Sequence, residues 1–200
     1  MKIFTTTLVF FLLMLSAHLF ADDAEKNSAL DVFFTQLKIE QGVANFTQKK
    51  HFTFLANPIV SKGLLKIHQS SVIWQVQSPV FSKLVIVDDQ VWQQVGDDPA
   101  HYQAVVSHAS VETLIRAVFT GDINRTQWDV SLDAQQCLQL SPKDLVLSQA
   151  IQQITVCLPN NAKQRFVTIK DAQSNLTEIE LNITAEHLSD EDIREFIINK

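Results

Sequence analysis

Residues 72–79 read Val-Ile-Trp-Gln-Val-Gln-Ser-Pro, and most of their side chains alternate between apolar and polar. Val72, Trp74 and Val76 fall on one face of this segment, while the two glutamines fall on the other. This alternation is typical of a β-strand with one buried face, because successive side chains of a strand point to opposite sides. The segment therefore predicts a strand that presents aliphatic groups and an indole ring to the protein interior.

The same period of two continues on both sides of this strand. Residues 84–87 are apolar on both faces, and residues 126–132 alternate Thr, Trp, Val and Leu with polar side chains. Further alternating segments occur at 154–158, 167–169 and 179–183. Many short strands with a few helices between them predict an α+β domain built on one large antiparallel sheet.

Helical periodicity interrupts the strands in four places. Leu30, Phe33, Phe34 and Leu37 recur at i, i+3, i+4 and i+7, which predicts an amphipathic first helix. The other three predicted helices are an apolar stripe at 111–119 that ends at Gly121, a short helix opened by Ser141-Pro142, and a terminal helix capped by Ser189.

The first 21 residues have the pattern of a secretory signal peptide. Lys2 is their only charge, and residues 8–20 are mostly apolar. This apolar run is shorter than the ~20 residues that a membrane-spanning helix needs. We therefore predict cleavage near Ala21, export of the protein, and a single domain from residue 22 to residue 200.

Charge and motif content argue against several functions. The chain has 16 Lys and Arg against 22 Asp and Glu, a formal net charge of −6, which argues against nucleic-acid binding. It has no GxSxG, HExxH or phosphate-loop motif, and its histidines lack ligand spacing. The sequence therefore predicts no catalytic residues, no metal and no cofactor. A hydrolase that assembles Ser, His and Asp from distant segments stays open as an alternative.

Cys137 and Cys157 are the two cysteines of the chain. In an exported protein two thiols most often form one disulfide, and both cysteines lie in predicted strands. We predict a cross-strand disulfide that closes a loop of about 20 residues and contributes roughly 3 kcal/mol to stability. The functional alternative is a catalytic or metal-binding thiol, although the sequence has no CxxC motif and no nearby His cluster.

The order of these motifs resembles the periplasmic outer-membrane lipoprotein carrier family, the LolA type. The resemblance covers nearly all of residues 28–183. It rests on Val-Ala-Asn-Phe-Thr-Gln-Lys-Lys at 43–50, Pro-Ile-Val-Ser-Lys-Gly at 58–63 followed by the Trp block at 72–79, the hairpin at 84–92, the strand at 126–132 with Leu140-Ser141-Pro142, and the strand pair at 171–183.

The resemblance implies a strongly curved antiparallel β half-barrel with a helical lid over an apolar cavity. It assigns the first helix and the 111–119 helix to the lid. The best-known members carry a lid-binding Arg before the Trp block, where this chain has His68, so His68 is the candidate lid contact. The residues expected to bind lipid from the cavity or the lid are Phe33, Leu37, Phe46, Val72, Trp74, Val76, Ile86, Trp92, Leu114, Ile115 and Phe119.

This architecture implies a monomeric periplasmic carrier or chaperone for acylated cargo. The cargo would be the acyl chains of lipoproteins, or of related envelope lipids, moved from the inner to the outer membrane. The implied partners are an inner-membrane extractor and an outer-membrane acceptor. The alternative is a sensor or adaptor that uses the same fold to bind envelope proteins without transferring lipid.

Overall fold

The computed structural model describes residues 28–88, 90–94, 101–105, 118–119, 121, 123–159 and 163–198. The chain divides into two compact units, Met1–Gln36 and Leu37–Lys200. The predicted first helix is confirmed as α1, residues 28–37. The predicted signal peptide, residues 1–21, lies outside the described residues. No helix within the described ranges is long and apolar enough to cross a membrane.

The described strands of the second unit form one sheet in which each neighbouring pair is antiparallel. Their spatial order is β6-β5-β4-β3-β2-β1-β11-β10-β9-β8-β7, so the first and last strands pair in the middle of the sheet. The strands are β1 Gln41–His51, β2 Ile59–His68, β3 Ser71–Ser78, β4 Ser82–Val87, β5 Gln90–Gln94, β6 Tyr102–Val105, β7 Trp128–Leu132, β8 Leu138–Pro142, β9 Ile151–Cys157, β10 Gln164–Asp171 and β11 Leu176–Ala185.

The sheet is strongly curved but does not close. Leu84 on β4 and Ile169 on β10 line one cavity of about 290 Å³. Five steps between neighbouring strands separate β4 from β10, which would be about 24 Å across a flat sheet. Both side chains can line the same small cavity only because the sheet bends around it. The predicted antiparallel half-barrel is confirmed.

Pro142 ends a strand and does not begin a helix, so the prediction of a helix opened by Ser141-Pro142 is wrong. Pro142 is the last residue of β8 and pairs with Trp128 on β7. The next helix, α2, spans Leu145–Ala150 and begins after Asp144. The Asp144 carboxylate accepts hydrogen bonds from the first free backbone N–H groups of α2, which fixes the start of the helix there.

The terminal helix α3 spans Asp190–Arg194 and is capped as predicted. The Ser189 hydroxyl accepts a hydrogen bond from the backbone N–H of Asp192, and the Asp192 carboxylate accepts one from the backbone N–H of Ser189. This reciprocal capping box satisfies two donors that would otherwise lack partners. It fixes the direction in which the chain enters α3.

Gly63 allows an aromatic ring to lie flat on the sheet. Gly63 pairs with Phe46 across β1 and β2. A Cβ atom at position 63 would overlap the carbonyl oxygen of Gln75 and would lie 2.9 Å from the Phe46 ring. Only glycine fits this close approach of strands and ring. The Phe46 ring is thereby free to stack on Trp74.

The segment 188–198, which contains α3 and which we call the C-terminal segment, covers the outer face of β3–β5. Phe196 forms a buried cluster with Ile73 and Val85. Partly buried apolar side chains pack around this cluster, namely Trp92, Tyr102, Leu188 and Ile198. Both faces of strand β4 are covered, which explains why residues 84–87 are apolar on both faces.

Candidate functional site

Strand pairing places the apolar side chains of the central strands on one face, which we call the inner face. Trp74 pairs with Leu65 on one side and with Leu84 on the other. Because directly paired residues point to the same side of a sheet, the pairing defines the face strand by strand. The inner face contains Ala44, Phe46, Leu65, Ile67, Val72, Trp74, Val76, Leu84, Ile86, Val156, Val167, Ile179 and Leu181.

Three aromatic rings are stacked on the inner face. The Trp74 ring lies 3.8 Å from the Phe46 ring and 5.4 Å from the Phe119 ring, measured between centroids. Phe119 belongs to the short described segment 118–119 and is buried. The stack therefore joins the sheet to this segment through a continuous aromatic surface.

An apolar cavity of about 290 Å³ adjoins this stack. Its volume lies at the lower end of the range of ligand pockets, which suits one hydrocarbon chain better than several. The apolar lining consists of Trp74, Leu84, Val118, Phe119, Ile169 and Ile179. The polar lining consists of Gln48, Lys50, Asp171 and Thr177.

The polar lining marks one end of the half-barrel as the mouth of the cavity. Lys50, Asp171 and Thr177 lie within two residues of the ends of their strands. Burial opposes ionisation of Asp171 and by itself would raise its pKa. Hydrogen bonds from Asn175 and from the backbone N–H of Gln173 outweigh burial, with a smaller contribution from Lys50, so the pKa of Asp171 is lowered. The mouth therefore carries an ionised carboxylate and a lysine at neutral pH.

Exposed apolar side chains concentrate at this same end of the half-barrel. They come from the β1–β2 connection and the start of β2, from the β3–β4 connection, and from α2. Phe54, Val80 and Leu145 are each more than 70% exposed. We call this surface the rim, and it consists of Phe54, Leu55, Ile59, Val60, Val80, Phe81, Leu145 and Val146. Exposed apolar groups gathered at one end of a sheet are candidates for contact with another apolar surface.

One cation lies deep on the inner face. Arg165 pairs with Leu181 on β11 and is only 1% exposed. One of its terminal nitrogens donates a hydrogen bond of 3.4 Å to the carbonyl oxygen of Phe119. Burial lowers the pKa of Arg165 to about 10, so the guanidinium remains protonated at neutral pH.

The structure places six of the predicted lipid-binding residues on the inner face or in its aromatic stack. Trp74 and Phe119 line the cavity directly. Phe46 stacks on Trp74, Val72 and Ile86 are buried on the inner face, and Val76 is half-buried there. Phe33 and Leu37 are buried residues of α1. Leu114 and Ile115 lie outside the described residues.

Trp92 lies on the outer face, so the prediction that it lines the cavity is wrong. Trp92 pairs with Val85 and packs in the outer cluster with Phe196, on the side of the sheet opposite the cavity. The His68 ring lies 5.8 Å from the Phe196 ring, so His68 contacts the C-terminal segment. Residues 111–117 of the predicted lid lie outside the described residues, so the lid contact of His68 stays a prediction. Arg165, which was not among the predicted site residues, makes a polar contact with segment 118–119.

The polar mouth and part of the apolar lining were also missed. Ile169 and Ile179 belong to predicted strands, and their parity with Val167 and Leu181 could have identified them as inner-face residues. Gln48, Lys50, Asp171 and Thr177 gave no comparable signal, because polar residues near strand ends are normally solvent-exposed.

Three of the described histidines contact groups that are not nucleophiles, and the described residues hold no metal site. The ring of His51 contacts Glu178, that of His187 contacts Gln41, and that of His68 contacts Phe196. None of these partners is a hydroxyl or thiol nucleophile. No group of three or more His, Cys, Asp or Glu in these ranges could hold a metal ion.

Two buried lysines on the outer face have carboxylate partners. The Lys66 ammonium lies 2.6 Å from Asp192 and 2.6 Å from Glu195, and the Lys83 ammonium lies 2.8 Å from Glu195. We call these four residues the ionic cluster. It joins β2 and β4 to the C-terminal segment and neutralises two cations under an apolar cover.

Cys137 and Cys157 form the predicted disulfide, with their Cα atoms 4.5 Å apart. It joins the residue before β8 to the last residue of β9. Replacing both cysteines by serine is expected to lower the free energy of unfolding by about 3 kcal/mol, because the unfolded chain regains the freedom of a loop of about 20 residues. Urea unfolding measures this change. Equal stability of the oxidised, reduced and double-serine proteins would contradict the prediction.

The solved-structure comparison finds a fold similar to that of the LolA superfamily protein NE2245 from Nitrosomonas europaea. The identity is 8%, the match covers 83% of this chain and 96% of that chain, and the TM-score is 0.47. No protein-family model matches the sequence, and no curated protein matches it.

Proposed function

We propose that the protein is a periplasmic carrier that shields acyl chains of lipoproteins, or of related acylated envelope lipids, and moves them from the inner to the outer membrane. The observation that carries this proposal is the cavity of about 290 Å³, which is lined by an aromatic stack and aliphatic groups. Each methylene exposed to water costs about 0.8 kcal/mol, so a lipid leaves a bilayer unaided only very slowly. An apolar cavity removes that barrier without chemistry.

The rim supplies the surface for transfer, and its occupant in this proposal is the lipid bilayer. The connections that carry the rim lie at the mouth of the cavity, since Lys50 pairs with Ile59 and Lys62 pairs with Ser78. Apolar groups on short connections can enter the interfacial layer of a bilayer, while nearby lysines face its anionic headgroups. An acyl chain could then pass between bilayer and cavity without crossing water.

The disulfide supports the periplasmic location. Disulfides persist in oxidising compartments outside the cytoplasm, and this one joins neighbouring strands of the sheet. The proposed cycle needs a donor at the inner membrane and an acceptor at the outer membrane. The protein acts as a monomer in this cycle and needs no cofactor.

Transfer of a fluorescent acylated lipid between vesicles tests the proposal. Donor vesicles carry the labelled lipid with a quencher, acceptor vesicles carry neither, and both contain anionic phospholipid. We expect the protein to accelerate the recovery of fluorescence in proportion to its concentration. A rate equal to that of spontaneous transfer at every concentration would overturn the carrier proposal and favour an adaptor.

Replacing two exposed phenylalanines of the rim is expected to slow lipid transfer between vesicles without weakening lipid binding in the cavity. The double variant Phe54→Ser, Phe81→Ser should reduce the transfer rate about tenfold, because two phenyl groups no longer enter the bilayer. Phe166→Ser is the matched control, since Phe166 is exposed on the outer face of β10, away from the rim. If the control slowed transfer as much as the rim variant does, the rim would have no specific role.

A further inference from the structure

Arg165 is the exception among the buried cations of the described residues. Lys66 and Lys83 each lie within 2.8 Å of a carboxylate. In the same ranges no carboxylate lies within ion-pair distance of Arg165, and its Nε has no hydrogen-bond partner. Burying a charge without a partner is costly, so an unpaired buried guanidinium points to a ligand that supplies the missing anion.

The one hydrogen bond of Arg165 is weak. A distance of 3.4 Å to the Phe119 carbonyl oxygen is longer than the usual 2.7–3.2 Å of N–H···O hydrogen bonds. A guanidinium has five N–H donors in a planar fork, which matches the two oxygens of a carboxylate. A carboxylate at this position could therefore replace the carbonyl contact with shorter, charge-assisted hydrogen bonds.

Arg165 lies at the right distance from the mouth to bind one end of an extended chain. It is on the same strand and the same face as Val167 and Ile169, and Ile169 lines the cavity. Four residues of a strand span about 13 Å, and the six residues to Asp171 at the mouth span about 20 Å. Phe119 bridges the two sites, since its ring lines the cavity while its carbonyl oxygen contacts Arg165.

We propose that Arg165 binds the carboxylate of a single-chain fatty acid whose hydrocarbon chain lies along the Phe46–Trp74–Phe119 stack and extends to the mouth. This inference rests on the proposed acyl-binding function and adds a free fatty acid to the acyl chains that the cavity would hold. The carboxylate enters first and forms an ion pair with Arg165, and the chain fills the cavity behind it. The small volume of the cavity fits one such chain.

Parinaric acid and its methyl ester test this proposal, because they share one fluorescent chain and differ only in the charge. We expect the unmodified protein to bind the acid about tenfold or more tightly than the ester. In Arg165→Met this preference should disappear, with affinity for the ester unchanged. Arg165→Lys should retain part of the preference, because an ammonium keeps the charge but loses the fork.

The unfolding temperature of Arg165→Met distinguishes a ligand-binding role of Arg165 from a structural one. Arg165→Met is expected to unfold at the same temperature as the unmodified protein or higher, because an apolar side chain replaces an unpaired buried charge. A variant that loses stability and binds both probes more weakly would show that Arg165 only supports the segment 118–119. Equal binding of acid and ester by the unmodified protein overturns the inference alone. Failure to bind either probe overturns the acyl-binding function itself.

Discussion

Thr177→Trp is expected to weaken binding of a neutral acyl chain about fiftyfold. Thr177 lies on the inner face at the mouth of the cavity, where its Cα pairs with those of Lys50 and Ile169. An indole there occupies space that about three methylenes of the chain would fill. At about 0.8 kcal/mol for each methylene the loss is about 2.4 kcal/mol, and every 1.4 kcal/mol is a tenfold change in affinity.

The methyl ester of parinaric acid is the probe for this variant, because it reports on the cavity without the charge of Arg165. Thr168→Trp is the matched control. Thr168 lies on the neighbouring strand β10 and pairs with Glu178, so its side chain points to the outer face. Affinity should be unchanged in the control. Equal affinity of the unmodified protein and Thr177→Trp would show that the chain binds somewhere else.

Lys66→Met is expected to lower the free energy of unfolding by about 3 kcal/mol, because it breaks a buried ion-pair cluster. Lys66 is 8% exposed and contacts both Asp192 and Glu195. Its removal leaves two partly buried carboxylates, of which only Glu195 retains a cation, Lys83. Urea unfolding followed by tryptophan fluorescence measures the difference.

An exposed ion pair provides the control for Lys66. Lys143 lies 3.2 Å from Asp129, and both residues are exposed to solvent. Exposed pairs contribute at most about 1 kcal/mol, so Lys143→Met should have a small effect. A loss at Lys66→Met no larger than the loss at Lys143→Met would mean that the C-terminal segment is not held by the ionic cluster.

The ionic cluster also predicts a dependence of stability on pH. Hydrogen bonds from Lys66 and then Ser189 lower the pKa of Asp192 to about 2. The pKa of Glu195 is also lowered, because its bonds to Lys66 and Lys83 outweigh the opposing effect of burial. A carboxylate with a lowered pKa in the folded state stabilises the protein above its ordinary pKa, and this contribution is lost as the pH falls through the folded value.

Stability should therefore fall between about pH 4 and pH 2, and this fall should be smaller in Lys66→Met than in the unmodified protein. At the alkaline end, the carboxylates raise the pKa of Lys66 even though burial opposes them. The contribution of Lys66 is thus complete below its ordinary pKa of 10.5 and is lost at higher pH. Parallel pH profiles for the two proteins would contradict this account of the cluster.

The alternation of single strands predicted much of the inner face. Val72, Trp74 and Val76 are assigned to one side because Gln75 and Gln77 indicate the opposite, polar side. Trp92 lies on β5, next to β4. It was misassigned because β4 is apolar on both faces and does not indicate which side of the neighbouring strand faces the cavity. Its true side depends on the pairing of β5 with β4 and on the C-terminal segment that covers the outer face. These are contacts between distant parts of the chain, which local periodicity does not show.

Arg165 is a second residue whose position local periodicity did not indicate. A single arginine in a strand is normally read as solvent-exposed. Its parity with Val167 and Ile169 nevertheless places it on the inner face, while Phe166 between them is exposed. Pro142 was misread because proline is favoured at a helix start and is also tolerated at a strand end. Asp144, two residues later, is the residue that caps the helix.

Native mass spectrometry tests the central claim, which is that the cavity holds an acyl chain. The protein should be expressed with its own N-terminal segment, collected from the bacterial envelope and purified without detergent. We predict an added mass that denaturation releases as a lipid, a fatty acid or an acylated peptide, and Thr177→Trp should lack it. A protein that carries no added mass and also fails to bind parinaric acid or its methyl ester would contradict the claim.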